Sequence, residues 1–456
     1  MSTDLDVTVD VTVDVAVVGA GIAGLTAAHE LARAGFVVRV FETRDRVGGR
    51  MASHRHAGYT MDEGAEQIPA HGYRATWELV RRLGIPDEDV PLIGAPIAVW
   101  RDGVAHPGVS APRGLVTGAG LGPRARLDLT RLLASVALRG REFDPDRPES
   151  TPLGTATVAE LARRYHPDVL DYLFQPVVGS FFGWHPERST AAPFLALLSQ
   201  VGPVSTWRTY REGMDALARQ LAGDLDVATG TTVSGVDISD GNAVLATDRG
   251  SITARVALLC VPAPVAARLH TDRRVPVRRF VEACTFTPTL KVSCLLDRPL
   301  SPARRRPVYT LLTPAVEEPV LAGIIVDHVK HPGRAPAGRG LLTLMTAPSA
   351  IPGLLDAPDA VAAKALVRPA TRYVPGLEDA ITATYVHRFR HGLPEATPEA
   401  LGLRSGFADR TPGPVDYAGD WEYLRPSSEG AVRSAAAAAA RVRAHLHAPS
   451  RTKEAV

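Results

Sequence analysis

An α/β fold, in which a mixed α+β region is inserted into a parallel-sheet region, is predicted for this 456-residue chain by three observations. The first is a short apolar run, Val15–Val18, followed at once by glycines at 19, 21 and 24, a helical pattern and a second strand. The second is a long middle that carries helical patterns and then strands, with no internal repeat and no linker of a separate third module. The third is a late return to the opening texture, a short apolar strand ending in Gly419-Asp420 and then an Ala-rich helix.

Taken in order, Val15-Ala16-Val17-Val18 is β-branched and apolar on both faces, as in a strand buried on both sides of a parallel sheet. Ile22 to Arg33 is helical and closed by Gly35, and Phe36 to Phe41 is a second strand that stops at Glu42. At a dinucleotide, Gly19 would make the tight turn, Gly21 would admit the pyrophosphate and Gly24 would let helix pack on strand. The helix N-terminus would offer its free amides to the phosphates. Glu42 could accept hydrogen bonds from ribose hydroxyls. Glycines at this spacing also serve plain turns. Strand, glycines, helix, strand and acid in that order read as a Rossmann-like site for an adenine dinucleotide.

A second glycine turn, Arg46-Val47-Gly48-Gly49-Arg50, follows the acidic strand end. This arrangement resembles the GR2-type FAD-binding fold of flavin-containing amine oxidases, protoporphyrinogen oxidases and carotenoid-type desaturases. The resemblance implies FAD, with Glu42 on the adenosine ribose and Gly48, Gly49 and Arg50 along the pyrophosphate and flavin. Tyr59 to Glu66 reads as a strand entering a glycine turn, or equally as an ordinary hairpin. The resemblance matches Asp62, Gly64 and Ala65 to a D-x-GA turn beside the flavin ring.

Composition bounds the class. The chain is too long for one ordinary core, which makes two domains the natural prior. A hydrophobic content of 45% and a charged content of 22% suit a globular enzyme. A net charge of +2 offers no field for nucleic acid. Cys260, Cys284 and Cys294 lack CxxC spacing and leave one unpaired, so reduced thiols, a cytoplasmic setting and no metal site are expected. No apolar run reaches the roughly 20 residues of a bilayer span. Ser2 to Asp14 alternates Asp with Val and Thr and lacks a basic n-region, so it reads as an extension of the first strand or a frayed leader, not a signal peptide.

Tyr73 to Leu83 is an amphipathic helix closed by Gly84 and Pro86, and Ile97 to Trp100 a strand turning at Asp102-Gly103. Pro112 to Arg141 interleaves Leu, Val and Ala with Arg; a solvated helix over the substrate region is favoured over a membrane-touching lid. Helical patterns between Thr151 and Gln200 are broken at Gly179, Gly183 and Pro193. They resemble the helical substrate region of protoporphyrinogen oxidases at packing positions. Tyr210 to Leu217 leads a helix to Leu221, and Thr229 to Ile238 is a strand in which Val233 matches the family's adenine-contacting valine. Asp240-Gly241 makes a hairpin turn, Ala254 to Val261 is a buried strand, and Pro262-Ala263-Pro264 opens a helix. Strands follow at Thr289–Leu296, Val308–Leu312, Val320–Val326 and Leu341–Met345, with a helix over Asp359–Tyr373.

At the C-terminal end, Pro414 to Trp421 and Ser427 to Ser434 match the family's terminal strand, its Gly-Asp and its EGA helix. The match implies Gly419 and Asp420 on the ribityl and pyrophosphate, and Gly430 and Ala431 at the pyrimidine end of the flavin. A helix N-terminus there would stabilise the negative charge of a reduced flavin. Without the resemblance, the same residues make a capped helix start.

Lys291 is the candidate catalytic residue. It stands mid-strand among apolar neighbours, where an unpaired lysine would be costly, unless it faces outward from an edge strand. The resemblance matches it to the strand lysine that holds a water near flavin N5. In the monoamine oxidases of the resembling family a cysteine ahead of the Gly-Asp strand holds the flavin, and no cysteine follows Cys294 here, so the resemblance implies a non-covalent FAD. Ser427 and Ser428 stand where amine oxidases carry an aromatic cage residue, which turns the reading towards hydrophobic substrates. His387, Arg388 and His391 lie on a strand that either walls the flavin or faces solvent.

The expected organisation is a discontinuous FAD-binding domain (1–70, 205–275, 405–456) and a substrate domain (71–204, 276–404). The expected function is dehydrogenation of a C–N or C–C bond in a largely hydrophobic small molecule, by hydride transfer to flavin N5 with O2 as re-oxidant. The alternatives are an amine or amino-acid oxidase releasing peroxide, a non-catalytic FAD-bearing or membrane-docking protein, and a nicotinamide enzyme.

Overall fold

The apolar runs gather into two large sheets in a computed structural model, which describes residues 13–108, 114, 120–302 and 307–447. The N-terminal repeat before residue 13, and positions 112–113 and 115–119 of the Arg-rich segment, lie outside the described residues. The first sheet opens with β1 (Val13–Val18), followed by α1 (Ile22–Arg33) and β2 (Val38–Phe41). β2 starts two residues later than the sequence predicts. Gly35 leaves α1 with φ +91° and the Phe36 amide still donates to the Leu31 carbonyl, so the chain reaches the strand only at Val38. A short hairpin, β3 (Ser53–His56) and β4 (Tyr59–Asp62), is followed by α2 (Arg74–Arg82).

The second sheet begins with β5 (Ile97–Arg101) and β6 (Val104–Pro107), which turn on Asp102 and Gly103 at φ +51° and +80°. Both residues are left-handed, as a two-residue hairpin requires. Helices fill the stretch between residues 123 and 222. The helix Pro123–Leu138 buries Ala125, Leu129, Leu132 and Val136 and exposes Leu127, Leu133 and Leu138. Gly179 and Pro193 break nothing. Gly179 lies inside the helix Gln175–Phe182, where a Cβ would stand 3.2 Å from Gln175 Nε2. Pro193 is in the first turn of Ala191–Leu198, where proline's missing amide costs no helical bond. Gly183 does end its helix, at φ +64°.

The chain then returns to the first sheet through β7 (Asp226–Ala228), β8 (Val233–Ser239), β9 (Asn242–Thr247) and β10 (Gly250–Leu259). It completes the second with β11 (Phe286–Leu296), β12 (Thr310–Leu312), β13 (Leu321–Val326), β14 (Gly340–Thr346) and β15 (Ile381–Pro394). β16 (Val415–Tyr417) goes back to the first, and the helix Ser428–His447 follows.

In the first sheet the order is β7-β2-β1-β10-β9-β8. β10 forks: residues 250–254 pair antiparallel with β9, and residues 257–259 pair parallel with β16. β1 lies between two parallel neighbours, and Val15, Ala16 and Val17 are fully buried, each valine contributing about 1.5–3 kcal/mol. α1 packs on the C-terminal helix, and both bury small residues, Ala23, Ala27 and Ala28 on one and Ala431, Ala435 and Ala438 on the other. Small side chains let the two axes approach closely over β1. The second sheet runs β15-β11-β14-β13-β12-β5-β6 and is antiparallel except where β12 meets β5. It is mixed, as expected. β11 has a partner on each side, so Lys291 is not on an edge.

Candidate active site

β1, α1 and the loops after β2 build the first part of the site. Gly19 takes φ +103°, and a Cβ there would lie 2.8 Å from the Cys260 carbonyl oxygen. A Cβ on Gly24 would fall 1.9 Å from the Gly19 carbonyl oxygen. These two glycines serve packing. Gly21 is different, since a Cβ there meets no protein atom within 4 Å. The first turn of α1 has no side-chain cap and no acidic residue, which leaves its amides facing that open space. An open cradle under uncapped amides fits a pyrophosphate.

The Gly48 amide joins the two glycine turns by donating to the Ala20 carbonyl at 2.9 Å, and Glu42 braces the first of them. Its carboxylate accepts from the Ala20 amide at 2.8 Å and the Arg44 amide at 2.9 Å. Beside it lies a cavity lined by Gly19, Glu42, Thr231, Val233 and Val261, which brings Val233 to the Glu42 end of the cradle. Gly48 and Gly49 both have positive φ, +111° and +54°, and turn the chain so that Arg50 reaches Asp420. Arg50 donates to Asp420 Oδ1 at 2.7 Å and Oδ2 at 2.9 Å, and to the Gly392 carbonyl at 3.0 Å. Gly64 is pressed against this turn. A Cβ on it would sit 2.1 Å from the Arg50 carbonyl oxygen, which accepts from the Ala65 amide at 2.9 Å.

The C-terminal part closes the arrangement. The Gly419 amide donates to Ser434 Oγ at 2.9 Å, and a Cβ on Gly419 would collide with the Trp421 indole. Gly430 approaches Asp420, with a Cβ position 3.3 Å from that of Asp420. Its amide donates to Ser427 Oγ at 3.1 Å, and that of Ala431 to the Ser427 carbonyl. Ser427 therefore caps the helix itself, and the Gly430 and Ala431 amides are engaged. Glu429, fully buried, turns away from the cradle to accept from the Ala75 and Thr76 amides at the start of α2.

Lys291 points inward. Its Nζ donates to the Gly64 carbonyl and to Glu66 Oε1, the latter at 2.6 Å. The lysine therefore touches the same turn that is bonded to Arg50. Glu66 also contacts Lys330 Nζ, which lies 3.0 Å from Asp62 Oδ2 and 2.8 Å from Asp327 Oδ1. Arg334 Nη2 completes the group at 2.9 Å from Asp62. Asp62, Asp327, Lys330 and Arg334 have no exposed side-chain surface. Three carboxylates thus meet three cations in the protein interior.

The electrostatics follow from burial and pairing. Burial alone would raise Asp62, but Arg334 and Lys330 hold its carboxyl down at about 2. Burial would lower Lys330, and Asp327, Glu66 and Asp62 reverse this and push it up. Burial raises Glu66 against the pull of Lys291 and Lys330. His387, opposite Lys291 in the β11–β15 register, is buried and hydrogen-bonded to Ser293 Oγ at 3.1 Å. Burial, then Lys291, lowers it to about 4. Arg388 pairs with Asp359, and His391 lies edge-on to Phe286, so the three polar residues of this strand go to different surroundings.

The sequence singles out Lys291 as a catalytic candidate but does not point to Lys330, Asp327 or Arg334. Asp327 and Lys330 do stand at i and i+3, a spacing that also describes any solvated helical turn.

The family model described as "Flavin containing amine oxidoreductase" matches residues 22–443. AofH of Mycobacterium tuberculosis, which carries the name of a flavin-containing monoamine oxidase, is 40% identical over 136 residues, 28% of this chain and 30% of that protein. "Protoporphyrinogen oxidase 2, chloroplastic/mitochondrial" of Arabidopsis thaliana is 30% identical over 174 residues, 38% of this chain and 33% of that protein. The alignments thus span about a third of these relatives. An engineered triple mutant of putrescine oxidase has a similar structure, with a TM-score of 0.76 at 20% identity, over 95% of this chain and 99% of that one.

Proposed function

The chain belongs to the flavin-containing amine oxidoreductases, and from that premise we propose an FAD-dependent oxidoreductase that dehydrogenates a C–N or C–C bond of a largely hydrophobic small molecule. The observation that carries the reading is the convergence of three distant segments, around Gly21, Arg50 and Asp420, on one open cradle with Lys291 beside it. Bound FAD would supply the two-electron acceptor at N5, with O2 as re-oxidant. The α1 amides would hold the pyrophosphate, Glu42 the adenosine ribose and Val233 the adenine. Arg50 and Asp420 would hold the middle of the cofactor, without a covalent link. The first sheet would carry the cofactor and the second the substrate.

Lys291 would present a positive charge and a hydrogen-bond donor at the Gly64 turn. The neighbouring carboxylates, Asp62, Glu66 and Asp327, each already hold a cation, so none is free to receive a substrate ammonium group. This favours a hydrophobic substrate over a simple amine. The second reading, an amine or amino-acid oxidase, is favoured by the name of AofH. We place the protein in the cytoplasm. Its three cysteines are free thiols, and no described helix is long and apolar enough to cross a membrane.

The test is an anaerobic screen of the purified protein for loss of flavin absorbance. Bleaching by hydrophobic alicyclic or aromatic compounds without an amine is expected. Bleaching confined to amines would transfer the assignment to the second reading. A colourless protein that fails to take up FAD would refute both.

A further inference from the structure

Among 51 Lys and Arg residues the chain has only four lysines, Lys291, Lys330, Lys364 and Lys453. Two of these four share one carboxylate, Glu66, in the interior. In a chain that otherwise uses arginine for positive charge, lysine at both positions points to a need for a compact point charge. A guanidinium fork is larger, planar and set for bidentate partners.

The geometry of the cluster extends this. Lys330 lies within hydrogen-bond distance of three carboxylates, and Lys291 is held by one of them and by the Gly64 carbonyl. Arg334, Asp62 and Asp327 complete a neutral set of six. The groups that face it from the adjoining strands include His387 of β15, Ser293 of β11, Thr343 of β14 and Ser53 of β3, whose Oγ donates to Asp62 Oδ1 at 2.7 Å. Thr343 Oγ1 donates to Asp327 Oδ2 at 2.8 Å and lies 3.2 Å from Ser293 Oγ. Inside a low-dielectric site, deleting one member of such a set leaves a whole uncompensated charge beside the Gly64 turn.

We propose that Glu66 and Lys330 are positioning residues that set the redox poise of the bound cofactor, Glu66 by offsetting the charge of Lys291, which the Gly64 carbonyl also holds, and Lys330 by neutralising Glu66 from behind. This rests on the FAD reading above. Lys291 is the member that meets the cofactor edge, and the other two act through it. A fixed positive charge near the flavin favours the added electron pair, and an uncompensated negative charge opposes it.

The experiment measures the midpoint potential of the FAD-loaded protein by equilibration with a reference dye. Glu66→Gln removes a negative charge and is expected to raise the potential. Lys330→Met removes a positive one and is expected to lower it. The double variant, neutral again, should return towards the wild-type value. Packing damage alone has no reason to shift the two single variants in opposite directions. Unmoved potentials, or shifts of one sign, in yellow and folded variants would overturn the inference while leaving FAD binding intact. A wild type that stays colourless when supplied with FAD would instead remove the FAD reading on which it rests. A second measurement needs only the wild type. With lysine Nζ labelled with ¹⁵N, the ammonium signals of Lys291 and Lys330 should persist at neutral pH through shielding from solvent exchange, and Glu66→Gln should abolish one of them. Free exchange at both Lys291 and Lys330 in the wild type would overturn the cluster directly.

Discussion

Arg50 and Asp420 lie 370 residues apart in sequence and form a two-point ion pair, at 2.7 and 2.9 Å. Asp420 is almost wholly buried and Arg50 is about one-third exposed. The pair fastens the second glycine turn to the C-terminal Gly-Asp, and both groups face the proposed path of the cofactor. Arg50→Lys keeps the charge but loses the planar fork. A stability loss of about 1–2 kcal/mol in urea unfolding is expected, with FAD bound at least about tenfold more weakly, by analogy with the loss of one charge-assisted hydrogen bond. An unchanged dissociation constant for FAD would remove this residue from the cofactor site.

Two glycines of one fingerprint should behave oppositely. At Gly21 a new side chain would project into open space, so Gly21→Val is expected to fold and to purify colourless. At Gly24 even one methyl group would overlap the Gly19 carbonyl, so Gly24→Ala is expected to cost about 1–3 kcal/mol of stability or more. Thermal unfolding of the two apoproteins, together with their absorbance near 450 nm after FAD addition, separates the cases. Full FAD occupancy in Gly21→Val would be the contrary result.

That contrast shows what could be read in advance. The opening fingerprint is local, with Gly19, Gly24 and Glu42 within one βαβ unit, so spacing alone gave the turn at Gly19 and the close packing at Gly24. The strands and the helix Asp359–Ala370 were legible for the same reason. The ion cluster was not. Lys330 meets Glu66 across 264 residues and Arg334 meets Asp62 across 272, and neither pair belongs to one local pattern. The side that Lys291 faces depends on β11 being an interior strand, which only the pairing of β14 and β15 decides. Gly179 and Pro193 misled because a residue that breaks helices in general can stand inside one where packing or position permits.

Acid should destabilise the protein in two stages. His387 has its ring held at about 4 against an ordinary 6.5, so the unfolded chain takes up this proton first, and stability falls as pH drops from about 6.5 to 4. The loss is up to about 3 kcal/mol at 1.36 kcal/mol per unit. Asp62 is held at about 2 against an ordinary 3.8, so its contribution is present above about pH 4 and is lost as pH falls towards 2, a further 2 kcal/mol or so. Urea unfolding as a function of pH should show His387→Gln reducing the upper slope and leaving the lower stage unchanged. The remainder of the upper slope comes from His29, His270, His331, His391 and His445, whose rings burial also lowers. A variant that keeps the full upper slope would assign that stage to another group.

Lys291→Met removes the amine beside Gly64 and leaves Glu66 paired with Lys330. FAD should still bind, because the cradle residues are untouched. Flavin reduction or re-oxidation should slow by about 10- to 100-fold, the range of one positioned donor or charge. Stopped-flow traces at 450 nm, identical for variant and wild type, would take Lys291 out of the chemistry.

The fork in β10 has a bearing on how the protein is made. Residues 250–254 of that strand find β9 a few residues upstream, whereas residues 257–259 must wait for β16, more than 150 residues later in synthesis. Asp420, the partner of Arg50, emerges later still. A ribosome-bound chain halted near residue 400 would own the whole fingerprint and still be unable to close it around a ligand. Flavin capture should therefore be a post-synthetic event. Since a ligand that binds only the folded form stabilises it, the supply of flavin would decide how many finished chains escape proteolysis.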